Sequence, residues 1–267
     1  MKIAAIIGSP KGRGDGYAII RKIEQHMKGI GEVEFEYIFL KDANIGMCTG
    51  CMSCMAHGED TCPLKDDDLA QIREKMLGAH GLILSSPIHA RGVTGLMKNF
   101  IDRLAYTIGR PMFFHQKALL VLNSGGGRGK GDFAALGFAV NGARIVHRLY
   151  VLTPWYPLRE KALRRNDKAI RLGAEKLFRT CLDTNLPAPG ILDYLMFRFS
   201  KAYNMRESVH LPACSEYYRG KEYYYETGIS PIARLSVGVL LPIFMMAVKD
   251  LLPADEGETH KAARPDS

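Results

Sequence analysis

The feature that most constrains this chain is a set of short apolar runs, each a strand long and each stopped by Gly, Ser or Pro. Ile3 to Ile7 ends at Gly8, Leu82 to Leu84 at Ser85-Ser86-Pro87, and Ala118 to Leu122 at Asn123-Ser124-Gly125. Unbroken apolar runs of this length belong to strands buried on both faces, whereas strands with one wet face alternate. Together with 33–40 and 144–152 they predict five strands. Segments with helical spacing fall between them: up to about Lys28, from Asp68 to about Leu77, Leu96 to Leu104, near Asp132 to Asn141, and about Leu158 to Leu182. Strands alternating with helices predict an α/β fold, a doubly wound parallel sheet covered on both faces.

Three loops rich in Gly, Ser and Pro follow strands, at 9–16, 86–95 and 123–131. In open parallel sheets the ligand binds beyond the carboxyl ends of the strands, so these loops are expected to converge on one ligand. The first, Gly8-Ser9-Pro10-Lys11-Gly12-Arg13-Gly14-Asp15-Gly16, joins a strand to a helix. That geometry aims backbone N–H groups and the positive end of a helix dipole at a phosphate. The loop matches neither the dinucleotide fingerprint nor the P-loop pattern, so a plain strand-to-helix turn stays open as the alternative.

The second strand leads into Cys48-Thr49-Gly50-Cys51-Met52-Ser53-Cys54, followed by Cys62. Four of the six cysteines thus lie within fifteen positions, enough thiolates to surround a metal centre from one loop. The first apolar run is too short for a secretory signal, which points to a cytoplasmic protein with reduced thiols; there a cysteine cluster holds metal or does redox work. Cys181 and Cys214 are isolated and read as ordinary buried thiols. The formal charge of +8 suits phosphate-bearing ligands, nucleic acid or an anionic membrane. No nucleic-acid motif accompanies it, and the basic residues from Arg144 to Arg179 read as a solvated helix face.

Taken together, Gly8-Ser9-Pro10-Lys11, the cysteine loop, Ser86-Pro87-Ile88-His89, Lys98-Asn99-Phe100-Ile101-Asp102-Arg103 and Ser124-Gly125-Gly126 resemble the flavodoxin-fold NAD(P)H-dependent FMN reductases, and more narrowly their iron–sulfur flavoprotein branch. The resemblance covers about Met1 to Leu182. It implies a flavodoxin-like sheet of five parallel strands in the order 2-1-3-4-5, FMN at their carboxyl ends, NAD(P)H as electron donor, and a homo-oligomer (dimer or tetramer). A ferredoxin-like protein or a small molecule would accept the electrons. Carried over position by position, the phosphate loop falls on Ser9, Lys11, Arg13, Gly14, Asp15, Gly16 and Tyr17. The isoalloxazine loop falls on Pro87, Ile88, His89, Ala90, Arg91, Gly92 and Val93, and Ser124, Gly125 and Gly126 line the other side of the ring. The chain departs from the family pattern at Asp15 and Gly16, where Asn and then Thr or Ser are usual, so a hydroxyl donor is missing. His89 stands where an aromatic residue, commonly Tyr, is usual.

The spacing C-x2-C-x2-C-x7-C makes Cys48, Cys51, Cys54 and Cys62 the expected metal ligands. Three close cysteines plus a fourth suit a [4Fe-4S] cluster, in which each iron takes one thiolate. A zinc tetrathiolate and a metal-free loop are the competing readings, although structural zinc more often takes two separated C-x2-C pairs. No catalytic residue is nominated, and His57, His80 and His115 read as surface or packing residues.

The resemblance stops near Pro187. Domains are expected at 1–185, with the cysteine-rich loop at 45–65, and at 186–253 as a helical extension, with a disordered tail at 254–267. In the extension, Ile191 to Met205 has helical spacing with Leu192, Leu195, Met196, Phe199 and Tyr203 on one face, and Tyr217, Tyr218, Tyr223, Tyr224 and Tyr225 cluster after it. Leu235 to Val248 is uncharged but falls short of the roughly 20 residues that span a bilayer. It is expected to pack on the core or a second subunit, with membrane-surface contact through 234–252 as the other reading. Three functions remain at this stage: electron transfer between FMN and an iron–sulfur cluster, a cluster-free NAD(P)H-dependent FMN oxidoreductase acting on quinones, flavins or nitro compounds, and a non-catalytic binding protein on the same scaffold.

Overall fold

The computed structural model describes residues 1–126, 130–206 and 210–248. The expected tail at 254–267, and the end of the 234–252 segment, lie outside these residues. So do 127–129 of the third glycine-rich loop.

The chain divides into two compact units, one of Met1–Cys54 with Glu59–Leu186 and one of Met55–Gly58 with Pro187–Ser267. In the first unit the strands β1 (Lys2–Ile7), β2 (Glu34–Phe39), β3 (Gly81–His89), β4 (Gly92–Val93), β5 (Lys117–Ser124) and β6 (Arg144–Leu152) alternate with α1 (Asp15–Lys28), a single turn α2 (Ser53–Ala56) whose last two residues count with the second unit, α3 (Leu69–Leu77), α4 (Gly95–Arg103), α5 (Lys130–Phe138) and α6 (Glu160–Cys181). The long strands run in the order β2-β1-β3-β5-β6, with every neighbouring pair parallel. Counted without β4, this is the flavodoxin-like order 2-1-3-4-5.

Ile3, Ala5 and Ile7 of β1, Ile83 of β3, Leu119 and Val121 of β5, and Leu149 and Val151 of β6 point to one face. There they pack under Ile19, Ile20, Ile23 and Met27 of α1 and Ile170, Ala174, Leu177 and Phe178 of α6. The alternate side chains Ala4, Ile6, Leu82, Leu84, Leu120 and Leu122 point to the other face and are equally buried. That double burial is why the strands read as unbroken apolar runs. Each fully buried Ile or Leu contributes about 2 kcal/mol relative to exposure. Arg164, Arg165, Lys168, Arg171 and Arg179 of α6 are exposed, as a solvated face requires.

One element departs from the sequence reading. The third strand does not stop at Ser86 but continues to His89 and turns back into β4, pairing Ile88 with Val93 and His89 with Gly92. The turn residues Ala90 and Arg91 have φ of 48° and 67°. Two successive left-handed residues make the two-residue turn that matches strand twist, a turn normally signalled by Asn-Gly. Ala-Arg gives no such signal.

In the second unit α7 (Ile191–Arg206), α8 (Pro212–Tyr218) and α9 (Pro231–Ala247) enclose an aromatic core of Tyr194, Leu195, Phe197 and Tyr218 with Ile229, Ala233 and Val237. Phe197 is its hub, with ring centroids 4.9 Å from Tyr224, 5.3 Å from Tyr223 and 5.8 Å from Tyr218. The tyrosine cluster is therefore core material. The buried face of α7 is set by Tyr194, Leu195 and Phe197, and Leu192 and Met196, expected on the apolar face, are 68% and 42% exposed. Tyr218, Tyr223 and Tyr224 surround Phe197, which turns inward, so the buried face departs from the simple apolar stripe. Among the described residues no helix is long and apolar enough to cross a membrane.

Candidate functional site

The loop after β1 is held against the sheet from below. Gly8 N–H donates to Ser85 O at 2.8 Å, and a Cβ at Gly8 would lie 2.8 Å from Met97 Cβ, so only glycine fits there. Gly12, with φ of 63°, closes the turn through its N–H to Ser9 O at 3.0 Å. Ser9 and Gly16 are buried, whereas Lys11, Arg13 and Asp15 are exposed. The N-cap of α1 is Gly14, and no side chain caps it. The positive end of the helix is thereby left without a side-chain cap, an arrangement able to accept a phosphate.

Gly16 lies over two polar side chains of the sheet. A Cβ there would come within 3.1 Å of Ser85 Oγ and 3.6 Å of Asn123 Oδ1, and neither of those buried atoms has a hydrogen-bond partner in the protein. The position that lacks the expected hydroxyl is thus the position beneath which two polar atoms are left unsatisfied.

The second loop is the β3–β4 hairpin. Pro87, Ile88, Gly92 and Val93 are half-buried at its base, and His89, Ala90 and Arg91 are exposed at its tip. Thr94 locks the base to the first loop: its N–H donates to Ser86 Oγ at 3.1 Å, its hydroxyl donates to Gly8 O, and the same oxygen caps α4 by accepting from Met97 N at 3.2 Å. In the third loop Ser124 Oγ lies 2.8 Å from Tyr150 Oη and donates to Gly126 O at 3.0 Å, with Gly125 and Gly126 exposed. The three loops follow β1, β3 and β5, adjacent strands of the sheet, and so occupy one edge.

The four cysteines Cys48, Cys51, Cys54 and Cys62 all line one cavity of about 290 Å³, with Thr49, Met52, Leu64, Arg73, Asp102, Arg103 and Tyr106 among its other walls. The long gap before Cys62 is folded back by a 3-10 turn at Glu59–Thr61 and by Ser53, whose Oγ lies 2.8 Å from Thr61 Oγ1, which brings the neighbours of Cys54 and Cys62 together. Gly50 and Met52, with φ of 71° and 61°, turn the chain between the first three. Burial and then the charges of Cys62, Cys48 and Cys51 push the Cys54 thiol above its ordinary range. Four thiolates facing one cavity repel one another unless a cation stands among them. Among the described residues no three of His, Cys, Asp or Glu converge closely enough to hold a single metal ion.

The cysteine loop is clamped by α4, through residues that sequence reasoning quoted for the resemblance without giving them a task. Asn99, buried, accepts from Cys48 N at 2.9 Å and donates to Ile45 O and Gly46 O at 3.3 and 3.1 Å. Arg103, one turn on, donates to Gly46 O at 2.9 Å and Leu64 O at 2.7 Å, joining the two ends of the loop, and pairs with Asp67. Burial raises the Asp67 carboxyl, but hydrogen bonds from Arg103 and from the N–H groups of Leu69 and Gly46 outweigh it and hold the group below its usual range. Arg110, also buried, donates to Cys54 O at 2.8 Å and pairs with Glu59 at 3.0 Å. The i, i+4 spacing of Asn99 and Arg103 was the available signal, since it sets both on one face of the helix.

Cys181 and Cys214 are buried, and burial pushes the Cys181 thiol up to about 12. His57, His80 and His115 are exposed, and His80 Nδ1 accepts from Lys2 N at 3.1 Å.

A parallel sheet in this order, with three Gly- and Ser-bearing loops at one edge, defines a flavodoxin-like fold. The NADPH-dependent FMN reductase family matches residues 1–161, and the chain belongs to that family, in its iron–sulfur flavoprotein branch. It is 33% identical over 141 residues to an iron–sulfur flavoprotein of Archaeoglobus fulgidus, covering 52% of this chain and 67% of that one. It is 36% identical over 103 residues to an iron–sulfur flavoprotein of Methanocaldococcus jannaschii, covering 39% of this chain and 51% of that one, so it spans only about half of this second relative. Of solved structures, an NAD(P)H:quinone oxidoreductase from Methanothermobacter marburgensis superposes with a TM-score of 0.51 at 16% identity over 66% of this chain and 96% of that one. A flavone reductase superposes with a TM-score of 0.51 at 20% identity over 70% and 66%. At these identities the two structures attest the fold alone.

Proposed function

We propose that this FMN-binding oxidoreductase moves electrons between a flavin at the carboxyl ends of β1, β3 and β5 and a [4Fe-4S] cluster held by Cys48, Cys51, Cys54 and Cys62. The observation that carries the reading is the single cavity lined by all four cysteines. Four thiols around one space of about 290 Å³, three of them in one run, support a polynuclear cluster over a zinc tetrathiolate, which more often takes two separated C-x2-C pairs. For FMN, the fit rests on the uncapped N-terminus of α1 with Lys11 and Arg13 beside it and on the backbone left accessible at Gly14 and Gly126.

When bound, FMN supplies exchange between two-electron hydride donors and one-electron carriers, and the cluster supplies one-electron steps. The rest falls to the protein. The α1 N-terminus and the basic pair Lys11 and Arg13 bind the phosphate. The hairpin 87–93 and Ser124 to Gly126 orient the ring. Asn99, Arg103 and Arg110 hold the cysteine loop with donors turned toward its carbonyls, and α4 ties that loop to the flavin loops through Thr94. No side chain is required to move a proton. A hydride donor such as NAD(P)H and a ferredoxin-like or small-molecule acceptor complete the proposed cycle, in a homo-oligomer.

The reading is tested on protein purified without oxygen. About four irons and four sulfides per chain, with one FMN, are expected. FMN without iron or sulfide in anaerobic preparations, unchanged by reconstitution with iron and sulfide, would leave a cluster-free FMN oxidoreductase.

A further inference from the structure

One face of α9 is covered by the aromatic core through Ala233 and Val237, and the opposite face is apolar and bare. Along it Ile232, Leu235, Val239, Ile243 and Met246 are 72, 75, 60, 59 and 76% exposed. Their spacing, 3-4-4-3, keeps all five on a single stripe. The only charged residue of the helix is Arg234, which is paired with Glu222 at 3.0 Å. An isolated exposed Leu is ordinary, but five in a row along about 21 Å of helix, with Leu240 beside them, mark a surface that is covered in the working protein.

We propose that the stripe is covered by the same stripe of a second copy of this chain, running antiparallel about a two-fold axis at Val239. The spacing 3-4-4-3 reads the same in both directions. Reversing one helix about Val239 therefore sets Ile232 opposite Met246, Leu235 opposite Ile243 and Val239 opposite itself, with no mismatch along the seam. An isologous interface requires that self-complementarity. Gly238, with nothing within 4 Å of where its Cβ would stand, flanks Val239 and lets the partner helix come close at the crossing. The stripe with Leu240 leaves on the order of 700 Å² exposed, near the ~800 Å² per partner of a standard specific interface. A membrane surface suits the stripe less well, because helices lying in that interface carry Lys and Arg of their own along the polar margin, and α9 itself carries only Arg234, already paired with Glu222.

The full chain, flavin loaded, is examined by sedimentation velocity and by cross-linking with a short bis-maleimide. Val239→Glu, which places two carboxylates face to face on the axis, is expected to halve the particle mass with flavin content and circular dichroism unchanged. Val239→Cys is expected to add a covalent dimer that the parent chain does not give. Ile232→Cys chains alone should add none, whereas Ile232→Cys mixed with Met246→Cys should. An unchanged mass for Val239→Glu would overturn the proposal. So would wild-type chain that pellets with phosphatidylcholine vesicles while Val239→Cys forms no covalent dimer, an outcome that assigns the stripe to lipid.

Discussion

Replacing Arg103 by Met removes the clamp on the cysteine loop and leaves the carboxylate of Asp67 without its cation. The side chains are 3% and 8% exposed, so the pair is buried, and losing one member of such a pair costs about 3–5 kcal/mol because the other charge stays desolvated. Compensation is partial. Gly46 O keeps its bond from Asn99, and Asp67 keeps the N–H groups of Gly46 and Leu69, but no other donor replaces the guanidinium at Leu64 O. A loss of about 3–4 kcal/mol at pH 7.5 is therefore expected, close to a 10 °C fall in the midpoint of the unit carrying the site. The pH dependence gives the sharper sign. In the wild type the Asp67 carboxyl titrates below its unfolded value of about 3.9, so its contribution is present above that pH and lost as pH falls through the folded value. Without Arg103, burial is opposed only by the N–H groups of Gly46 and Leu69, and the carboxyl rises from its wild-type position. The share that Arg103 contributes is full at neutral pH and shrinks as acid protonates Asp67 in the variant. Denaturant melts from pH 7.5 down into the carboxylate range should show the gap between wild type and variant narrowing toward acid. Adding Asp67→Asn to the variant should recover most of the loss. A loss under 1 kcal/mol, or a gap constant in pH, would refute the account of Arg103 as the counter-charge of Asp67.

Four further outcomes follow from the geometry. Asn99→Leu, nearly isosteric, leaves Cys48 N and the Ile45 carbonyl unpaired and is expected to cost about 2–4 kcal/mol; iron retention under chelator should fall before flavin content does, and simultaneous loss of both would argue against a loop-specific role. Gly16→Ser introduces the hydroxyl absent from this phosphate loop at a site where Ser85 Oγ is unpartnered and able to rotate, and equilibrium titration should show FMN affinity rising about fivefold, one net hydrogen bond; weaker binding would mean that the 3.1 Å approach to Ser85 dominates. Replacing Ala90-Arg91 by Asn-Gly relieves two left-handed residues and should raise stability by about 1–2 kcal/mol in thermal melts. Alkylation of the apo protein at pH 8 should label exposed Cys51 well before buried Cys181, whose thiol is pushed up to about 12, as peptide mass spectrometry would record.

What the sequence makes legible divides by range. The sheet is readable because its strands are buried on both faces and the ends of β1 and β5 are marked by Gly8 and Ser124. The cysteines are readable because their ligand spacing is local. The hairpin is not, since Ala90 and Arg91 carry no turn preference and adopt left-handed backbone only because β3 continues to His89 and Ser86 and Thr94 tie the hairpin's base. The bare face of α9 is hidden for another reason: in sequence an exposed apolar stripe and a buried one look alike, and only the aromatic hub at Phe197 decides which side of each helix turns inward.

The arrangement of α4 follows from the same division: the stretch from Thr94 to Arg103 joins the cysteine loop to the loops after β1 and β3. Thr94 fixes the helix start to Gly8 and Ser86, in the loops proposed to hold the flavin. Asn99 lies five residues on, about 7.5 Å along the axis, and grips Cys48. Arg103, another 6 Å along, closes the loop at Gly46 and Leu64. A rigid helix of nine residues thereby sets the separation between the two loops, a quantity that one-electron transfer between centres depends on. Loops alone would let that separation wander. Asn99 and Arg103 of α4 are accordingly buried on its inner side, where a helix selected only for packing would carry apolar residues.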